Sequence, residues 1–127
     1  MPGLERIRTT RIAANPAALD AARWPVGALV LRIAPDEVLV AGNAPLEFPG
    51  DAHAIVEQDE GFAAVWVPAG QALHFLERAC EWELPQARPA FAQGAVAGLP
   101  MKLWFEADRI LFLVPAPYAT DLEERMA

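Results

Sequence analysis

Few side chains in this 127-residue chain have the chemistry of a reaction centre. The two histidines, His53 and His74, stand apart, and no pair of cysteines accompanies them at metal-ligand spacing. We therefore expect no metal site and interpret both histidines as surface or half-buried side chains. The chain contains no serine, which excludes serine nucleophile chemistry.

Cys80 is the only cysteine, so no intrachain disulfide can form. It falls on the apolar side of a predicted helix, near the C-terminal end, with Glu81 and Glu83 beside it. A nucleophilic thiolate is favoured by a helix N-terminus or a cationic neighbour. Cys80 is therefore predicted to be a small core residue.

The carboxylates Glu57, Asp59 and Glu60 form a cluster at a predicted turn. Two carboxylates divide acid and base roles only when their environments separate their pKa values. At the end of a strand we expect all three to be solvated. The sequence thus assigns no catalytic residue, and it leaves cofactor-binding residues unknown.

Other ligand-binding patterns are weak. Gly94 lies within a predicted strand and Gly98 follows it. Neither precedes a helix, so they form no phosphate-binding loop. The chain has four tryptophans, which are Trp24, Trp66, Trp82 and Trp104. They are interpreted as packing residues. An exposed one would indicate a protein partner or a flat heteroaromatic ligand.

Composition predicts one folded domain over residues 1–127. The hydrophobic fraction of 54% supports a substantial core. The net charge is −7, and residues 44–83 hold eight acids against Arg78 alone. Such an acidic surface repels phosphate backbones, so nucleic acid is excluded as a partner. No run approaches the ~20 apolar residues of a membrane span, and no secretory signal opens the chain. We therefore expect a cytoplasmic protein.

The N-terminal 27 residues are the least regular part. Residues 1–14 show no clear period and are predicted to be an arm. Asn15 and Pro16 then favour the start of a short helix over Ala17–Arg23. The next stretches predict a hairpin of strands Ala28–Ala34 and Glu37–Ala41, turned by Pro35-Asp36. A loop follows over residues 42–50, with a short extended piece at Leu46–Phe48.

The centre of the chain predicts a strand, a corner and a helix. A third strand over Ala52–Glu57 turns at residues 58–61 into a fourth, Phe62–Val67. Pro68-Ala69-Gly70 breaks that strand, and the apolar period changes from two to about 3.6 over Gly70–Cys80.

The C-terminal part predicts three further strands, Phe91–Ala97, Leu99–Phe105 and Arg109–Val114. A closing helix follows, with Tyr118, Leu122 and Met126 on its inner face. Short turns join most neighbours, which indicates an α+β fold: a mainly antiparallel sheet with helices packed on it.

Three segments carry a resemblance to a known family. They are WPVGALVLRIAPDEVLVAG (24–42), AIVEQDEGFAAVWVPAGQALHFLERACEWEL (54–84) and FAQGAVAGLPMKLWFEADRILFLVPAPYATDLEERM (91–126). In order and spacing they resemble the gamma subunit of heterotetrameric sarcosine oxidase, of the folate-binding group that includes the glycine-cleavage T protein. The match runs from about Ala28 to the C-terminus; the first quoted segment begins just before it, at Trp24, and the rest of residues 1–27 is unmatched.

The resemblance implies a folate-binding T-protein-like domain. It also implies a complex that oxidatively demethylates sarcosine and passes the one-carbon unit to tetrahydrofolate. In that complex flavin, nicotinamide nucleotide and folate belong to the larger subunits, and the gamma subunit is a structural partner. The chain alone is therefore expected to bind no cofactor, with tetrahydrofolate as the one alternative.

Two departures from the T-protein pattern bear on function. Met101 and Lys102 stand where the pattern has acids, and Glu57-Gln58-Asp59 replaces an Asp-x-Ser. Three hypotheses follow. The first is a non-catalytic subunit held by larger flavoprotein oxidase subunits, or self-associated without them. The second is a stand-alone folate-binding protein, for which Arg32, Arg88, Lys102 and Arg109 are the available cations. The third, ranked last, is an aminomethyltransferase-like enzyme.

Overall fold

The computed structural model describes residues 3–44 and 47–127. These residues form seven strands and three α-helices. The strands are β1 (Glu5–Ala13), β2 (Ala28–Ala34), β3 (Glu37–Gly42), β4 (Ile55–Pro68), β5 (Ala90–Val96), β6 (Leu99–Phe105) and β7 (Arg109–Pro115). The helices are α1 (Pro16–Ala21), α2 (Ala69–Ala79) and α3 (Ala119–Met126). The β1–β3, β2–β3, β4–β7, β5–β6 and β6–β7 pairs are antiparallel, which confirms the α+β class.

The chain divides into two compact units. The smaller unit is residues 7–60, and the larger unit joins residues 3–6 to Gly61–Ala127. Strand β4 therefore contributes its first six residues to the smaller unit and the rest to the larger one.

The smaller unit pairs its strands in the order β2-β3-β1-β4. One buried cluster of this unit consists of Ile12, Leu19, Val38 and Val40, all almost fully buried. Helix α1 contributes Leu19 to this core. At six residues α1 is too short to be stable by itself, so this contact must hold it.

The larger unit pairs its strands in the order β4-β7-β6-β5. Helices α2 and α3 pack on one face of these strands. Phe75 and Leu76 come from α2, Leu122 and Met126 from α3, and all four join the same buried cluster as strand residues such as Phe112. Side chains of β6 alternate strictly between buried and more exposed, as expected for a strand with one face on a core.

The N-terminal arm prediction is wrong, because residues 5–13 form strand β1. Its register runs from Thr9 opposite Ala41 to Ala13 opposite Glu37. Thr9 and Thr10, which lie on opposite faces of the strand, are both buried, and Arg6 and Arg8 are exposed. Residues 5–13 therefore show no hydrophobic period in the sequence, although they pair with β3 and β4 in the sheet.

The turn predicted at residues 58–61 is also wrong. Strand β4 runs without interruption through Ile55–Pro68, and the predicted strand start at Ala52 lies in a turn. The Ala54 N–H donates to the Asp51 carbonyl at 3.1 Å, which closes that turn. The acids that suggested a turn lie along a strand beside the arginines of β1.

The other elements agree with prediction within about one or two residues. Tyr118 is an exception on the closing helix, because it lies in a short 3-10 turn and is 38% exposed, whereas Leu122 and Met126 are buried. The extended piece predicted at Leu46–Phe48 is not a strand at Glu47 and Phe48, and Leu46 lies outside the described residues.

Candidate functional site

An open cavity of about 420 Å³ lies in the smaller unit. One wall consists of alanines of α1 and the residue after it: Ala18, Ala21 and Ala22. Trp24 and Phe48 supply the aromatic surface. A volume of this size falls within the range of natural ligand-sized or side-chain-sized pockets. The cavity is therefore the candidate functional site.

Two side chains hold α1 in place beside the cavity. The Asn15 carboxamide oxygen accepts the N–H of Ala17 at 2.9 Å and caps the helix. The Arg32 guanidinium forms an ion pair with Asp20 at 2.8 Å and also donates to the Pro16 carbonyl. The alanine wall is thus fastened at both ends of a helix too short to form unaided.

The loop opposite α1 is fastened by Asp51. Its carboxylate accepts the main-chain N–H of Asn15 at 2.8 Å and that of His53 at 2.9 Å. The bond from Asn15 is the main reason that the pKa of Asp51 lies below its usual value, and the bond from His53 adds to it. Asp51 therefore stays ionised at neutral pH and ties the loop to the start of α1.

Trp24 and Phe48 contact each other across the cavity wall. Their ring centroids lie 5.9 Å apart with an interplanar angle of 25°, an offset-stacked arrangement. Both rings are half-buried and pack on the core of the smaller unit. They form an apolar surface that lines the open cavity.

A tight turn beside the cavity presents Val26 to solvent. The Ala28 N–H donates to the Pro25 carbonyl at 3.1 Å, and Gly27 adopts a positive φ of 87°, as in a type II turn. Asn43 donates through its side chain to the Val26 carbonyl at 3.2 Å. The Val26 side chain is 96% exposed, the largest exposure among the large apolar residues described. The turn is therefore well anchored although its apolar tip has no cover.

Two opposite charges line the cavity: Arg23 and Glu47. Both side chains are exposed, and neither forms a hydrogen bond or ion pair with the described residues. A bound group could therefore recruit either charge without breaking an existing contact.

The four cations named for an anionic ligand are already engaged inside the chain. Arg32 binds Asp20, Arg88 lies over the Phe105 ring at 4.8 Å, Lys102 lies over the Phe62 ring at 5.6 Å, and Arg109 lies over the Trp66 ring at 3.7 Å. An anion that binds Arg32 or Arg109 would compete with the carboxylate that each already contacts, Asp20 or Glu106. The structure does not bring them together around the cavity described above.

Arg109 belongs to the densest of these contact sets. Its Nε donates to Glu106 at 2.9 Å, and the Trp104 indole N–H donates to the same carboxylate at 3.1 Å. The bond from Arg109 is the main cause that lowers the pKa of Glu106. An ionised carboxylate held by two donors fixes the β6–β7 turn, and is poorly suited to accept a proton from a substrate.

The acidic cluster takes part in strand pairing. Glu60 binds Arg8 at 2.8 Å, and Glu57 lies 3.6 Å from Arg11, which also contacts Glu37. The main-chain carbonyl of Asp59 accepts the Thr9 hydroxyl at 3.2 Å. These contacts join β4 to β1, so the role supported for the cluster is structural.

The remaining candidates belong to different elements of the chain. His53 is exposed in the turn before β4, His74 is exposed on α2, and the thiol of Cys80 contacts the Trp82 carbonyl at 3.4 Å. Within residues 3–44 and 47–127, no group of three metal-ligating side chains is close enough to hold an ion. Among the helices described, none has both the length and the apolarity needed to cross a bilayer.

Of the residues that line the cavity, Trp24 alone was singled out in the sequence, as one of four tryptophans. There was no reason in the sequence to join Trp24 to Phe48, which lies in a Pro- and Gly-rich loop. A lone aromatic residue in such a loop was the available signal. Protein-family models give no match to this chain, and no curated protein matches its sequence.

Proposed function

We propose that this chain is a non-catalytic small subunit, similar to the gamma subunit of heterotetrameric sarcosine oxidase. In this role it supports a flavin-dependent oxidase in sarcosine and one-carbon metabolism. The observation that carries the proposal is the uncovered apolar surface of the smaller unit, where Val26 stands beside the aromatic-walled cavity. Anchored apolar residues next to a pocket are typical of protein-binding surfaces.

The use of the charged residues supports the same proposal. Arg32, Arg88 and Arg109 stabilise turns and strand ends, while Glu57 and Glu60 pair with arginines of β1. A catalyst needs charged groups that can contact a substrate, whereas these charged side chains bind other residues of the same chain. Aminomethyl transfer by the chain alone is therefore the least favoured function.

Co-expression tests the proposal. The tagged chain is produced together with the products of its neighbouring genes, and the purified fraction is examined for flavin absorbance and for sarcosine oxidation. We expect the oxidase to co-purify with the wild-type chain and with Ile55→Asp, which alters another exposed apolar residue. Val26→Asp should reduce the recovered flavin several-fold. If the wild-type chain retains no flavoprotein, the proposal fails.

Tetrahydrofolate binding is the second candidate. The aromatic walls of the cavity favour it, and so does Arg23, which has no partner among the described residues, because a flat anionic ligand needs both a stacking surface and a cation. Calorimetric titration of the isolated chain with tetrahydrofolate decides it. Binding should weaken in Arg23→Gln and stay unchanged in Arg6→Gln, an exposed arginine of the larger unit. Absence of heat at millimolar ligand eliminates this candidate.

A further inference from the structure

A projecting apolar residue and an open apolar cavity lie side by side in the smaller unit. Val26 projects from the Pro25–Ala28 turn and is 96% exposed, while the cavity next to it is open and lined by Trp24 and Phe48. A projecting apolar side chain and an apolar pocket on the same face are what an isologous dimer needs, since each copy then offers both halves of the contact.

The rim charges are complementary under the same symmetry. Arg23 and Glu47 carry opposite charges, and both lack partners among the described residues. If a twofold axis places Arg23 of one copy against Glu47 of the other, the same operation forms the reverse pair. Both pairs are attractive, so the local electrostatics favour pairing even though the chain carries a net charge of −7.

We propose that two copies of this chain associate through this surface. Val26 of each copy enters the cavity of the other, and Arg23 and Glu47 pair across the axis at the rim. The alternative occupant of the surface, an oxidase subunit, would compete with the second copy. The inference nevertheless does not depend on that oxidase, because it concerns the isolated chain in solution.

A charge-reversal experiment tests the pairing. Arg23→Glu places two acids opposite each other in a homodimer, and Glu47→Arg places two arginines opposite each other. Each variant alone should therefore be monomeric, since like charges facing each other are destabilising. An equimolar mixture of the two should form a heterodimer, because both cross-axis pairs are then opposite in sign. Sedimentation equilibrium measures the mass of each sample over a range of concentrations.

The wild-type chain and the matched control Arg6→Glu should both sediment as dimers, and Val26→Asp should be monomeric. A wild-type chain that stays monomeric up to millimolar concentration overturns the proposal. So do two charge-reversed variants that dimerise separately, or a mixture of them that stays monomeric. Circular dichroism checks that each variant is folded. If a charge reversal unfolds the chain, Arg23→Gln and Glu47→Gln are used in its place, and each should raise the dimer dissociation constant at least several-fold. Unchanged dissociation constants in these two variants overturn the proposal.

The experiment also separates the two proposals. If the wild-type chain is dimeric but captures no flavoprotein, the proposed subunit function is wrong and the proposed dimer stands. If the wild-type chain is monomeric but captures the oxidase, the proposed dimer is wrong and the proposed subunit function stands.

Discussion

The guanidinium carbon of Arg109 lies 3.7 Å from the centroid of the Trp66 ring, close enough for a strong cation–π contact. Arg109 begins β7 opposite Pro68, the last residue of β4, and its Nε also binds Glu106. One side chain thus joins the end of β4 to the β6–β7 turn. The Ala69 N–H at the start of α2 donates to the Asp108 carbonyl at 3.0 Å, so the helix start is bonded to the same turn.

Replacing Arg109 by Gln should lower the free energy of unfolding by about 0.5–1 kcal/mol. The change removes a cation–π contact and an ion pair, and both are discounted because the side chain is about half exposed. Urea denaturation measures the effect, with Arg6→Gln as control. Equal stability of the two variants would show that the Trp66 contact contributes nothing measurable.

Gly94 is required where Trp82 packs on β5. A Cβ at Gly94 would lie 2.9 Å from the Trp82 Nε1, and that nitrogen donates to the Ala95 carbonyl at 2.8 Å. Gly94→Ala should therefore cost about 1–3 kcal/mol through overpacking. In a Trp82→Leu background the same change should cost much less. A double-mutant cycle by urea denaturation gives the coupling, and a coupling of zero contradicts the contact.

Gly42 and Gly70 should respond to alanine in opposite directions. Gly42 has a φ of +83°, and a Cβ there would lie 2.7 Å from the carbonyl oxygen of Gly27. Gly42→Ala should destabilise the chain by about 1–3 kcal/mol, because both the backbone conformation and the close approach oppose it. Gly70 lies in α2 with open space around it, so Gly70→Ala should stabilise by about 0.4–1 kcal/mol. Thermal unfolding midpoints that shift in the same direction would refute the assignment.

Asp51 should make part of the stability depend on acid pH. Its pKa is lowered in the folded chain, chiefly by the N–H of Asn15, so the unfolded chain binds this proton more readily. Its contribution is complete above the ordinary aspartate pKa of about 4 and is lost as the pH falls through the lower folded value. Denaturation across this range should show a shallower acid loss in Asp51→Asn than in the wild type, with Asp108→Asn as control. Parallel acid profiles would contradict the prediction.

Local signals predicted most of the secondary structure. The Pro35-Asp36 turn identified the β2–β3 hairpin, and the change of apolar period after Pro68 identified α2. Such features depend on residues near one another in sequence, where turn chemistry and side-chain spacing suffice. The Asn15 cap of α1 was predictable for the same reason.

Strand β1 and the unbroken β4 were not predictable in this way. Their exposed positions hold arginines and acids, which read separately as an arm and a turn. Only strand pairing brings Arg8 to Glu60 and Arg11 to Glu57, so that each run of charge offsets the other. The partners of these charged residues lie some fifty residues away in the sequence, so neither segment alone shows the period of a strand.

The sequence by itself determined what chemistry is excluded and which local elements form. A chain without serine and with a single cysteine contains no serine nucleophile and no intrachain disulfide, whatever its fold. Tertiary structure alone decided where a binding surface lies. Trp24 and Phe48 belong to different connecting segments, and they meet because Leu19 holds α1 on the core and Asp51 ties the loop to it. The cavity is a product of these long-range contacts, so no local pattern could place it.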